Sequence, residues 1–269
     1  MEQLGRGHSV VRRIRALRRD AALRRSEGVY LAEGLHLADE ALACHAPIEE
    51  VLVSPRLTDR AAGRALIAQI EKRSLCCRLT SDAILDSLQD ARSAQPILLV
   101  MRRPRWSLAH AVAAGDSNTL LTVACSVQDP GNLGAMIRST DAAGGSGFVV
   151  AGSGADLFHP RTVRASMGSL FRLPALPADL DELIPLLLTE GIVALGTDPQ
   201  RGAPHYETDL RRPTALLLGG EAGGLPAEVR GRLDGMVRVT MRKGVNSLSV
   251  GAATAVLLFE AARQRGGQP

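Results

Sequence analysis

The stretch Thr119–Arg138, TLLTVACSVQDPGNLGAMIR, decides the fold. It opens with an apolar run through Ala124 that is too short for a buried helix and is followed at once by turn-forming residues. That pattern reads as a strand buried on both faces. The loop Ser126–Gly134 then leads into a helix carrying Arg138. Its glycines permit a tight turn and close backbone approach, Asn132 suits the N-cap, and Arg138 on the second turn is reachable from the open helix end. Such a loop can hold an anion or a ribose. The plainer reading, a turn with a capped helix and one surface arginine, is the favoured one when the loop is taken alone.

Working outward, the apolar runs Gly147–Ala151, Ile192–Gly196, Ala215–Leu218 and Met236–Val239 alternate with helical patterns, which predicts parallel strands covered by helices. A last helix, about Ser247–Arg263, is apolar around most of its circumference and needs burial in the domain or against a second subunit. Upstream, Val10, Ile14, Leu17 and Ala21 recur at helical spacing until Gly28, ahead of a strand at Val29–Leu31. A helix at Leu35–Ala43, a strand at Val51–Val53, a helix at Asp59–Glu71 and strands near Leu75 and Ile97 follow. The basic stretch MRRPRW, Met101–Trp106, reads as a linker. The expected organisation is therefore a domain over 1–100, a linker over 101–117 and a second domain over 118–269, both of α/β class.

The 269 residues suffice for two packed domains. No apolar run reaches the roughly 18 residues that cross a bilayer, and the start MEQLGRGHSVVRRIR does not read as a secretory signal. No membrane association and a cytoplasmic location are expected. Cys44, Cys76, Cys77 and Cys125 have neither zinc-site spacing nor the density of a disulfide scaffold, so they are expected to be small buried hydrophobes and no metal is expected. Net charge is only +4, but Met1–Gly28 holds eight arginines against Glu2, Asp20 and Glu27. A front-loaded positive patch suits a phosphate backbone.

Two further loops follow strands. LLLGGEAGGLP, Leu216–Pro226, is glycine-rich and suited to holding adenine, ribose or phosphate through its backbone. Neither it nor Gly144–Gly154 has the spaced-glycine dinucleotide fingerprint, which argues against a nicotinamide enzyme. VTMRKGVNSLSVGAATAVLLFE, Val239–Glu260, passes from strand to loop to helix, with Asn246 and Ser247 as candidate N-caps.

In order along the chain, Asn132, Gly134 and Arg138 after Asp129 and Pro130, then Gly219, Glu221 and Gly224 in a GxExxG pattern, then Met241 with Ser247, Leu248 and Ser249, resemble the three motifs of the SpoU branch of the SPOUT RNA methyltransferases. RTVRASMGSLFRLP, Arg161–Pro174, resembles the family's stretch between the first two. Thr240 and Ser249 depart from the family's usual proline and asparagine. Glu27–Leu42 and Ile48–Pro55 resemble the ribosomal-protein-like RNA-binding domain often fused to these enzymes.

The resemblance implies a carboxy-terminal domain with a parallel sheet and a deep trefoil knot, a homodimer, and S-adenosylmethionine-dependent methylation of a ribose 2′-hydroxyl. It implies cofactor contacts at Gly219, Val239 and Leu248, with Leu218, Gly220 and Met241 beside them. Arg138 would clamp a flanking phosphate, because a guanidinium stays protonated and is a poor general base. Asn132 and Ser247 would position nearby groups, and Glu221 would fix the loops. Large-subunit ribosomal RNA is the expected substrate, met by Arg12, Arg13, Arg15, Arg18 and Arg19. A transfer-RNA enzyme, a retired RNA-binding relative and a base-nitrogen methylase stay open at this point.

Overall fold

The amino-terminal helical pattern is interrupted at Asp20. Helix α1 (Ser9–Arg19) buries Val11, Ile14 and Leu17. The Asp20 carboxylate then accepts hydrogen bonds from the N–H groups of Ala22 and Leu23 at 2.8 and 3.1 Å, opening a separate helix α2 (Ala21–Glu27). A short acidic side chain that caps the next turn competes with helix continuation. Gly28 closes α2 at φ 65°, a left-handed position favouring glycine.

The computed structural model describes residues 2–59, 61–89, 94–112, 118–221 and 223–266. It divides into two units, Met1–Arg105 with Phe158–Arg172, and Trp106–Leu157 with Leu173–Pro269. In the first, β1 (Glu2–Leu4), β2 (Val29–Glu33), β3 (Ile48–Val53), β4 (Cys77–Thr80) and β5 (Ile97–Arg102) form a sheet in the order β1-β4-β3-β5-β2. Strand β5 runs antiparallel to β2 and β3, and the other pairs are parallel. Helices α3 (Leu35–Ala43), α4 (Ala61–Lys72) and α5 (Asp82–Ser87) connect them. Ile14, Leu17, Leu31, Leu52, Leu98 and Val100 share the core on one side.

Several expectations shift here. The strand near Leu75 lies at Cys77–Thr80, and β1 and α5 were not anticipated. Met101 and Arg102 complete β5, pairing with Tyr30 and Val29, where a linker was expected. Residues 113–117 of that linker lie outside the described residues. Of the four cysteines, only Cys125 is buried and Cys76 is exposed.

In the second unit, α6 (Leu108–Val112) precedes β6 (Leu120–Cys125), which is buried throughout, then α7 (Pro130–Ala142) and β7 (Gly147–Ala151). After β7 the chain leaves the unit. Phe158–Arg172, with α8 (Pro160–Ala165), belongs to the first unit. The Phe158 ring lies 4.8 Å from that of Tyr30, Arg103 sits 4.4 Å over it, and Arg172 donates to Glu40 at 2.8 Å. This corrects the placement of Arg161–Pro174 wholly within the carboxy-terminal domain. Two aromatic rings and a stacked guanidinium are a substantial local gain in burial, and no sequence period reports which partner a lone Phe will find.

The chain then returns through β8 (Ala175–Pro177), α9 (Leu180–Thr189), β9 (Val193–Thr197), β10 (Ala203–Pro204), β11 (Thr214–Gly219), α10 (Ala227–Arg230), β12 (Gly235–Arg238) and α11 (Val250–Gln264). Its seven strands order as β10-β12-β9-β11-β6-β7-β8, every pair parallel. Leu121, Val123, Val149, Ala215, Leu217, Leu183 and Leu187 form the core on one face. Helix α11 packs on α7, where the missing side chain of Gly251 lets it close on Ala135. Among the described residues no helix is long and apolar enough to cross a membrane.

Candidate functional site

Parallel strands put all their carboxyl ends on one edge, and there the loops converge. A pocket of about 370 Å³ lies on that edge of the second unit. Its walls include all six residues expected to meet a cofactor, Leu218, Gly219, Gly220, Val239, Met241 and Leu248, together with Glu221 and Ser247. The loop after β9, Thr197–Pro199, completes it, and so do Ser249, Val250, Ala253 and Leu257 at the start of α11. Of these, only Ser249 was singled out in the sequence, as a motif position. The one local signal for Thr197–Pro199 is a polar turn after an apolar run, which most surface turns share.

The GxExxG loop folds back on itself. Gly224, at φ 60°, donates its N–H to the Gly220 carbonyl at 3.0 Å. A Cβ at Gly219 would stand 2.1 Å from the Gly224 carbonyl carbon, and one at Gly220 would stand 2.3 Å from the Ser126 carbonyl oxygen. Glycine is needed at both positions because backbone meets backbone there. Ser126 itself has φ 57°, a sparsely populated conformation for a residue with a side chain, at the point where β6 ends.

Asn132 does not cap α7. Asp129 does, accepting from the Asn132 N–H at 2.8 Å with Pro130 at the first helical position. The Asn132 side chain is thereby left to donate to the Glu221 carboxylate at 2.8 Å, and the Gln128 N–H reaches the other carboxylate oxygen at 3.3 Å. Gln128 also donates to the carbonyls of Ser126 and Ser153. The loops after β6, β7 and β11 are thus tied together through one carboxylate and one amide.

Desolvation pushes the Glu221 carboxyl up, but hydrogen bonds from Asn132 and from the amides of Glu221, Gln128 and Asp129 outweigh it and hold the group below the ordinary value of 4.5. Because the folded value is depressed, the stability this group supplies is present above the unfolded pKa and is lost as pH falls through the folded one. An NMR titration of Glu221 is expected to show a midpoint below 4.5, with the Asn132 side-chain amide signals moving alongside. A midpoint at or above that value removes the tie.

Helix α11 begins later than expected. Its N-cap is Ser249, whose hydroxyl accepts from the Ala252 N–H at 3.2 Å, so neither Asn246 nor Ser247 caps it. Serine and asparagine are near-equal caps. The departure from the family's usual asparagine therefore leaves the start of the helix supported.

Arg138 stands apart from these residues. It is exposed and does not line the pocket. With α7 beginning at Pro130, Arg138 falls on the third turn, about 9 Å along the axis and roughly 120° around it from Asn132. The five amino-terminal arginines also divide. Arg13 is held between Glu27 and Glu49, at 2.7 Å to each, while Arg18 and Arg19 line a cleft of the first unit. Arg12 is exposed and Arg15 half-buried, and neither lines that cleft.

Two families match the chain in sequence order. The SpoU rRNA Methylase family matches residues 119–259, and the MRM3-like substrate binding domain matches residues 8–98. The chain is 33% identical over 221 residues to the 23S rRNA (guanosine(2553)-2'-O)-methyltransferase RlmP of Bacillus subtilis (strain 168), spanning 82% of this chain and 83% of that protein. It is 39% identical over 142 residues to the 23S rRNA (uridine(2479)-2'-O)-methyltransferase of Streptomyces viridochromogenes, spanning 51% of this chain and 50% of that one. The crystal structure of the SpoU methyltransferase AviRb from Streptomyces viridochromogenes in complex with AdoMet matches with a TM-score of 0.86 at 27% identity, over 97% of this chain and 100% of that one. With the motif loops, the parallel sheet and the family match all falling on the same residues, the chain belongs to the SpoU rRNA methylase family.

Proposed function

We propose that this protein moves a methyl group from S-adenosylmethionine to a ribose 2′-hydroxyl of large-subunit ribosomal RNA. The observation that carries this reading is the convergence of Gly219, Gly220, Val239, Met241 and Leu248 on one pocket beside the Asn132–Glu221 bond. The residues fit the cofactor. Glycines present bare backbone N–H and carbonyl groups, Leu218, Val237, Val239 and Leu257 supply apolar walls, and about 370 Å³ falls within the roughly 300–1,000 Å³ of small-ligand pockets. When bound, S-adenosylmethionine supplies an electrophilic methyl group. Gly219, Val239 and Leu248 hold it, with Leu218, Gly220 and Met241 beside them. Arg138 clamps a phosphate next to the target ribose and orients its hydroxyl, Asn132 and Ser247 position nearby groups, and Glu221 keeps the loops in register.

Ribosomal RNA is favoured by the substrate-domain match over residues 8–98 and by relatives named as 23S rRNA methyltransferases, and a cytoplasmic location follows from that substrate. The test is a direct competition between unmethylated large-subunit ribosomal RNA and transfer RNA for the whole protein, with the product read by ribose-methylation mapping. Preference for transfer RNA overturns the substrate. A base-modified nucleoside overturns the ribose assignment, and failure to bind S-adenosylmethionine in calorimetry overturns the activity. The whole chain is required, because deleting residues 1–100 would uncover the Phe158–Arg172 segment that folds with them.

A homodimer and a carboxy-terminal knot are part of the same proposal. Helix α11 buries one face, yet Val256 and Phe259 are 36% and 46% exposed, and Arg138 lies away from the pocket of its own chain. A second subunit would cover the apolar residues and bring an arginine to the site. For the knot, the support is that β12 lies beyond β9 and β11 from β6, while α11, next in the chain, packs on α7, which follows β6. Light scattering at micromolar concentration is expected to give twice the chain mass, and a monomer refutes the dimer.

A further inference from the structure

A second cleft lies wholly in the first unit and has no part in the pocket chemistry. It encloses about 440 Å³ and is lined by Arg18, Arg19, Arg161 and Arg164, with Glu33 and His159. The four arginines come from distant parts of the chain. Arg18 and Arg19 end α1, while Arg161 and Arg164 stand three apart on α8 and so share a face. Between them Thr162 and Val163 are buried, which turns both arginines outward. The tilted packing of Phe158 on Tyr30 anchors the start of this segment.

The fold does not require Arg18 and Arg19 at the end of α1. Arg24, 1% exposed, already donates to the carbonyls of Leu17 and Arg18 at 2.6 and 3.3 Å, and Asp20 donates its N–H to the Ala16 carbonyl. A buried guanidinium thus already answers the negative helix end. Arg18 and Arg19 thus bring to the cleft two guanidiniums that the helix end does not need, beside those of Arg161 and Arg164, and positive groups gathered at one place favour an anion. Guanidinium forks match phosphate oxygens two at a time. The volume is in the range of small-ligand pockets, roughly 300–1,000 Å³, so there is room for a phosphate with its attached sugar.

We propose that this cleft grips a phosphodiester of the RNA substrate's backbone. The contact is made jointly by α1 and by a segment whose chain neighbours on both sides belong to the catalytic sheet. The identity of the polyanion as RNA rests on the methyltransferase reading; the cleft itself does not. The test uses the full chain, a large-subunit ribosomal RNA transcript, and the double variants Arg18→Gln/Arg19→Gln and Arg161→Gln/Arg164→Gln, with Lys72→Gln/Arg73→Gln, two exposed residues at the end of α4, as a control of equal charge.

Each cleft pair is expected to weaken RNA binding about tenfold and to lower the slope of log affinity against log salt by roughly 0.7 to 0.9, the value for one phosphate. The quadruple variant is expected to lose much less than the product of the two pairs, because both grip one group. S-adenosylmethionine affinity, measured by calorimetry, should not move in any of them. Unchanged slopes, equal losses in the control, or fully multiplicative losses overturn the cleft. So does inorganic phosphate displacing the transcript far below the concentration at which matched salt does so, which would mark a free-phosphate site. If the wild type binds RNA with these slopes but transfers no methyl group, the function fails and the cleft stands.

Discussion

Arg138→Ala is expected to reduce methyl transfer by about a hundredfold or more, the usual cost of removing one preorganised charge from a reacting centre, while S-adenosylmethionine affinity stays within about twofold. Arg138 is exposed on the third turn of α7 and contributes nothing to the pocket wall. A guanidinium remains charged at every working pH, so its contribution is a fixed fork for phosphate oxygens with no proton to exchange. Arg138→Lys keeps the charge and loses the fork, and is expected to recover only part of the rate. Single-turnover rates beside calorimetric binding check the split, and normal turnover by Arg138→Ala removes it from the mechanism.

Gly219→Val is expected to abolish S-adenosylmethionine binding, by at least about a hundredfold, and also to lower thermal stability. The second effect follows from the geometry. Even a methyl at Gly219 would lie 2.1 Å from the Gly224 carbonyl carbon and 2.4 Å from the Leu225 nitrogen, so the loop must open to admit it. Overpacking of this kind costs about 1–3 kcal/mol, a drop of several degrees in Tm for a chain of this size. Ala253→Leu separates the two causes, since Ala253 lines the same pocket from α11, on a different element from the glycine loop. It should lose binding while melting close to the wild type. Normal binding by both variants would place the cofactor elsewhere.

Gly219 and Asn132 mark positions where the sequence alone gave an incomplete reason for the residue. A glycine at 219 was legible as necessary from its place after a strand in a glycine-rich loop. That its hydrogen faces the loop's own backbone depends on Gly224 turning at φ 60° five residues later. Asn132 is a similar case. Its residue type suits a cap, yet Asp129 takes that role because Pro130 sets the first helical position, and the amide is left for Glu221 across the sheet edge. The break at Asp20 was readable in principle, since aspartate caps helices, but the apolar period runs on past it and hides it.

The amino-acid sequence alone specified the long buried strands, most of the helices and the edge on which chemistry collects. Strands buried on both faces announce themselves as short apolar runs, and residues that turn or approach closely announce themselves as glycine, proline and aspartate, because both are local properties of φ, ψ and side-chain period. Tertiary structure alone decided the rest. Thr197–Pro199 joined the pocket because β9 lies beside β11. Phe158–Arg172 left the catalytic unit because Phe158 found Tyr30 and Arg172 found Glu40. Arg13, one of five similar arginines, was drawn into ion pairs with Glu27 and Glu49, while Arg18 and Arg19 joined a cleft with Arg161 and Arg164. Each outcome rests on burial or charge pairing between residues far apart in the chain, and such free energies are set by which surfaces meet, which no local pattern records.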